Sequence, residues 1–187
     1  MEGDHDRDEV RKPRDVAKRA LVLFGVWGLT VGAPREEILA WLDETGLRAE
    51  LSPRERDFVA NAHPTENQLI DFGWQAERLV VLLWALNVVE DLPGADRKCE
   101  AMAFRLPPFT DETADEFISR ASLRGEAELS AQSERIYDLH VEAADARRHQ
   151  RPTRMPVDVH IIHQRHYAIN WIMGYLGQDW DDVTPDV

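Results

Sequence analysis

Along most of the chain, apolar residues recur at alternating spacings of three and four, the period of an amphipathic α-helix. The longest such run covers 67–89, NQLIDFGWQAERLVVLLWALNVV, with Ile70, Trp74, Glu77, Val81, Trp84 and Val88 on one face. It predicts a helix at the centre of the core. Its odd member is Glu77, a carboxylate where an apolar residue is expected. Upstream, Val16, Ala20, Leu23, Phe24, Trp27 and Val31 mark a first helix beginning at Arg14 and ended by Gly32. Pro34 opens a second, PREEILAWLDET, with Ile38, Trp41 and Leu42 as its buried stripe. Glu36 and Glu37 there suit the positive end of the helix dipole. Ser52-Pro53-Arg54-Glu55 reads as a capping box starting a short helix that runs to Ala62.

Beyond the central run, the turn Asp91-Leu92-Pro93-Gly94 precedes a short predicted helix over 96–106, with Cys99, Met102 and Ala103 inward. Pro107-Pro108 interrupts it, since neither proline can donate to a helical ladder. Thr110 caps a helix DETADEFISRA, and Gly125 separates it from a longer one over 126–149. The inner face of the latter is Leu129, Ile136, Leu139 or His140, Ala143 and Ala146, and the arginines at its end complement the negative helix terminus. The last helix, over 156–176 and ended by Gly177, aligns Ile162, Arg165, Ile169, Ile172 and Leu176. An arginine thus sits within an apolar stripe, as Glu77 does. Trp180, in the acidic tail, is placed to fold back on the core. No stretch alternates as a strand would. The expectation is an all-α fold: a single-domain, multi-helix bundle over 14–187, built around the buried helix 67–89 packed against 156–176. Residues 1–13 mix charges without an apolar face and read as a mobile arm.

Composition narrows the functional classes. A chain of 187 residues can bury a substantial core as one domain. Its 43% hydrophobic and 30% charged residues are ordinary for a soluble protein. A formal net charge of −13 opposes general nucleic-acid binding and is compatible with a basic partner or simply with solubility. The single cysteine, Cys99, gives neither a disulfide framework nor a zinc-type pair, and fits the cytoplasm. The run Ala20–Val31 superficially resembles a secretory signal, but the segment before it, EGDHDRDEVRKPRD, is rich in acid. That run is also shorter than the about 20 apolar residues a bilayer span needs, so no membrane association is expected.

Glu77 and Arg165 are the leading polar candidates. A lone buried charge is costly, so each calls for a partner, and the simplest arrangement has them facing each other. Such a pair can fix helix register, or it can place Glu77 as a proton-transfer group on a pocket floor. His160, His163 and His166 form H-x-x-H-x-x-H. The metal alternative rests on His160 and His163, with His140 or Glu142 as third ligand. Helical geometry weakens it, because imidazoles stepped in threes fan apart. Nucleophile elbows and phosphate loops are absent, and no cofactor is expected.

Three blocks carry a family resemblance: Trp74 to Leu86, WQAERLVVLLWAL; Arg165 to Ile172, RHYAINWI; and Trp180 to Val183, WDDV. Together with Leu51-Ser52-Pro53, Glu55 and Phe58, they resemble the bacterial domain of unknown function family numbered 4272. The chain departs from that pattern at Gln75, where arginine is usual, at Gln164, where glutamate is usual, and after Asp138-Leu139. The resemblance implies an all-helical domain without an assigned reaction. It also implies that Glu77, Arg165, Asn170 and Asp181 form one polar constellation. The expected function is a non-catalytic protein-binding module, for instance one neutralising a basic toxin. The alternative is an enzyme using Glu77 as acid/base, or a His-based metal hydrolase.

Overall fold

The computed structural model describes residues 9–187, and the regular structure among them is entirely helical. The helices are α1 (Pro13–Thr30), α2 (Arg35–Glu44), α3 (Pro53–Ala60), α4 (Glu66–Gly73), α5 (Gln75–Ala85), α6 (Ala114–Ser119), α7 (Glu126–Arg148) and α8 (Val159–Met173). Four of them form a row, α1 on α5, α5 on α8 and α8 on α7, while α2, α4 and α6 cover the outside of α1.

The centre of the core is shared between α1 and α5. Val16, Ala17, Ala20, Leu21, Val22, Leu23 and Val26 of α1 are fully buried, as are Leu79 to Leu83 of α5. A helix that is apolar on nearly every side belongs in the interior. The predicted continuous helix over 67–89 is in fact two. At Gly73-Trp74 the ladder breaks, and the Glu77 N–H bonds to the Trp74 carbonyl, one residue short of a regular α turn. Glycine is the weakest interior helix former, about 1 kcal/mol below alanine, which locates the break. The helical phase changes there, so Ile70 is left 52% exposed instead of joining Val81 and Trp84 inside. At the other end, Asn87 adopts φ +59, and the Val88 N–H reaches back to the Leu83 carbonyl at 2.9 Å. That left-handed cap stops α5 at Ala85, short of Val89.

Other boundaries move for equally local reasons. The capping box at Ser52 forms as expected. The helix predicted over 96–106 is only a 3-10 turn at Ala101–Ala103, with Met102 at 72% exposure. Its backbone is committed elsewhere: the Cys99 N–H donates to Glu77, and the Ala95 carbonyl accepts from the Asp158 N–H at 2.7 Å. The cap of α6 is Thr113, paired with Glu116 in a full capping box, while the Thr110 hydroxyl is buried without a partner among the described residues. On α7 the inner face takes His140, leaving Leu139 partly buried. Helix α8 starts on the Asp158 carboxylate and ends at Gly174, before the predicted stop at Gly177, so Leu176 leaves the stripe at 65% exposure.

The tail closes the structure. Trp180 is buried and meets Tyr167 and Trp171 edge-on at 5.4 and 5.2 Å. Arg19 of α1 lies over the Trp180 ring, and Arg78 of α5 lies 3.6 Å from the Tyr167 centroid. Of the arm expected over 1–13, residues 1–8 lie outside the described residues. From Glu9 the chain is tied to α8: the Arg11 N–H donates to the Ile172 carbonyl at 2.8 Å, and its guanidinium lies over Trp171 and donates to the Gln178 carbonyl.

Gly174 joins these features. It has φ +73, and a Cβ there would collide with the Glu9 backbone. Gly174→Ala is expected to lower stability by about 2 kcal/mol or more, the left-handed cost of about 1–2 kcal/mol plus the displaced segment. Urea denaturation reads the loss as a lower midpoint.

Candidate functional site

Glu77 and Arg165 face each other across α5 and α8, each 2% exposed. The Arg165 Nε and Nη2 both donate to Glu77 Oε2, at 3.0 and 2.9 Å. The other carboxylate oxygen, Oε1, accepts the Cys99 N–H at 2.6 Å. The guanidinium also donates to the carbonyls of Pro93, at 2.5 Å, and Gly94, at 3.4 Å. This is a network in which the ion pair holds the loop over 93–99. The Cys99 thiol, which donates to the Ala76 carbonyl at 3.3 Å, is pushed up to about 12 by burial and by the neighbouring Glu77 charge. It is therefore protonated at neutral pH and a poor nucleophile.

Asn170 and Asp181 are not part of that network. Asn170 donates to the Thr184 carbonyl at 3.2 Å, and Asp181 accepts the Arg54 N–H at 2.9 Å, so both pin the tail. The expected constellation is thus divided between an interior lock and a tail clasp. A second buried lock was missed. Arg19 of α1 places Nη1 at 3.0 and 2.9 Å from the two oxygens of Glu55, itself 1% exposed. Its signal was present, since Arg19 falls on the face of Val16, Leu23 and Val26, but it reads equally as the basic flank of the apolar run.

The histidines do not meet as the metal alternative requires. His160 is exposed and lies 5.9 Å from the Trp74 ring, while His163 meets His140 edge-on at 5.4 Å. Glu142 is clamped by Arg151, with the Arg154 N–H as a further donor, which together hold its carboxyl down at about 2. Among the described residues, no group of three or more His, Cys, Asp or Glu side chains is arranged to hold a metal ion.

A different pair forms instead. His140 of α7 and His166 of α8, each 4% exposed, place their Nδ1 atoms 2.9 Å apart. One Nδ1 carries the proton and the other accepts it, so the two rings hold opposite tautomers. Burial, then the neighbouring imidazoles, lowers both to about 4, and the pair is neutral at physiological pH. His166 and Asn170 form the floor of a 430 Å³ cleft between α7, α8 and the tail. Its rim carries Glu134, Asp138 and Asp186, with Tyr137 and Tyr175 exposed beside them. Among the described residues, no cationic side chain lines it. A second concavity lies on the opposite flank of α5, where a 550 Å³ lobe beside Trp74 and Cys99 adjoins a 450 Å³ lobe beside Phe24 and Phe109.

The fold and these sites define an all-helical domain braced by two buried ion pairs. No helix among the described residues is long and apolar enough to cross a membrane. The family model described as a domain of unknown function, DUF4272, matches residues 2–183, and the chain belongs to that family. No curated protein and no solved structure matches it.

Two measurements probe this geometry. Breaking the Glu77–Arg165 pair with Arg165→Met is expected to cost about 3–5 kcal/mol. Adding Glu77→Leu should not restore stability as it would for an isolated pair, because the Cys99 N–H and the Pro93 carbonyl remain unpartnered. A double variant as stable as the parent would refute the network. The histidine pair sets a pH response. Its folded-state values lie below the ordinary 6.5, so the unfolded chain binds more protons between about 4 and 6.5. Stability from the pair is therefore full above 6.5 and falls as the pH drops toward 4. Urea midpoints from pH 7 to 4.5 should show the slope, and His140→Phe should reduce it.

Proposed function

We propose that this domain is a non-catalytic binding module that receives a lysine or arginine side chain of a basic protein partner in the α7–α8 cleft. The observation carrying this reading is the cleft's lining: among the described residues, three carboxylates, two exposed tyrosines and no cation. Carboxylates and aromatic faces together attract ammonium and guanidinium groups. His166 is neutral at physiological pH and so adds no opposing charge. Asn170, whose amide nitrogen donates to the Thr184 carbonyl, adds a neutral polar group to the lining. A net charge of −13 raises the encounter rate with a basic partner over a longer range. The engagement of both Glu77 oxygens inside the core supports a role without acid/base chemistry. The unpaired cysteine supports a reducing, cytoplasmic setting.

Titration with a lysine- and arginine-rich peptide at low salt tests the proposal. The triple variant Glu134→Gln/Asp138→Asn/Asp186→Asn should weaken binding at least about tenfold. Neutralising Glu36, Glu37 and Glu44 on α2 removes the same charge and should have a much smaller effect. Equal losses in the two variants would reduce the effect to net charge and overturn the cleft as the site.

A further inference from the structure

The groove on the far flank of α5 differs from the acidic cleft in the sign of its charges. Its two lobes share Trp27, Ala101 and Met102, so they form one elongated depression. Aromatic rings make the floor: Phe24 stacks on Trp27 at 6.0 Å and meets Phe109 edge-on at 5.8 Å. Around that floor, Met102, Phe109 and Val31 stay 72%, 57% and 52% exposed. Leaving three large apolar side chains in water around a concave aromatic surface is unfavourable unless something covers them. Each lobe, at 550 and 450 Å³, lies within the size range of small-molecule sites, about 300–1,000 Å³.

The charges at the groove indicate what that ligand carries. Lys98 lines the first lobe, its ammonium held 4.0 Å from the Trp74 ring centroid, and Arg105 lines the second. Neither has a carboxylate partner among the described residues. Both cations therefore border the apolar groove with their charge not neutralised by a carboxylate among the described residues. Glu77 adds no net charge to the wall, because Arg165 neutralises it. Glu100 lines the first lobe and, among the described residues, is the one group there that opposes an anion.

We propose that this groove binds a free anionic amphiphile, with its carboxylate at Lys98 and its alkyl chain running over Trp27 and Met102 toward Phe24 and Phe109. Apolar burial along the floor supplies most of the affinity, and Lys98 selects the headgroup. The site is separate from the α7–α8 cleft and does not rest on its reading.

Monomeric dodecanoate, titrated into the full chain while Trp fluorescence is followed, provides the test, because Trp27 and Trp74 both line the groove. Saturable binding is expected, with dodecyltrimethylammonium binding more weakly. Lys98→Ala should weaken dodecanoate about tenfold while leaving dodecanol unchanged. Glu100→Gln should tighten dodecanoate. Met102→Asp, at an exposed position, should abolish binding with unchanged circular dichroism. Absence of saturable binding would overturn the proposal. So would equal affinity for the cationic amphiphile, undiminished binding by Met102→Asp, or association only with anionic phospholipid vesicles and not with free dodecanoate.

Discussion

The Glu77–Arg165 pair is the interaction on which the rest of the fold depends, because it does more than neutralise two charges. A guanidinium offers five N–H donors, and here they are divided between a carboxylate on α5 and two carbonyls of the loop following it. The remaining carboxylate oxygen takes the Cys99 N–H from the same loop. The Cys99 N–H, which a helix over 96–106 would have used, is thereby committed to the ion pair. The loop stays irregular and shapes the wall of the Trp27 groove. Its Ala95 carbonyl also receives the N–H of Asp158, the cap that starts α8. One buried pair thus fixes the spacing of two helices, the course of a loop and the origin of a third contact.

The second lock, Arg19–Glu55, follows the same logic on the other side of the core. Glu55 caps α3 through the Ser52 N–H while it grips a guanidinium from α1, and Arg19 then lies over Trp180 of the tail. Arg78, Arg11 and Arg124 likewise sit on aromatic rings or donate to carbonyls. The consequence reaches the surface. Many of the positive charges are used inside or along seams, while carboxylates such as Glu134, Asp138 and Asp186 remain outward. An acid-rich exterior is therefore a result of how the arginines are employed as well as of composition.

Much of this was legible in the residues. Helical period, caps at Ser52 and Gly32, the paired odd charges Glu77 and Arg165, and the return of Trp180 to the core all followed from spacing and elementary electrostatics. What was not legible has a common cause. Where a backbone group finds a distant partner, local pattern loses its authority, as at Cys99, whose N–H serves Glu77, and at Gly174, where the N-terminal segment crosses. The break at Gly73 was visible as a weak helix former, yet the apolar period on both sides concealed the change of phase. The His140–His166 pair was half visible, since His140 was one of two choices for the inner face of α7. No local spacing could align it with a ring on α8.

The two concave surfaces share a support. Arg165 and His166 are neighbours on α8, and successive helical residues diverge by about 100°. One therefore reaches toward α5 and the loop behind the groove, while the other turns to α7 and forms the cleft floor. A change at Arg165 that shifts α8 would also move the seat of His166, because both side chains leave the same helix. Loss of the proposed binding at the cleft in an Arg165 variant would then report on the position of α8 and not on contact with the proposed partner. Variants on the cleft rim, at Glu134 and Asp138, avoid that ambiguity, since their side chains are solvent-exposed.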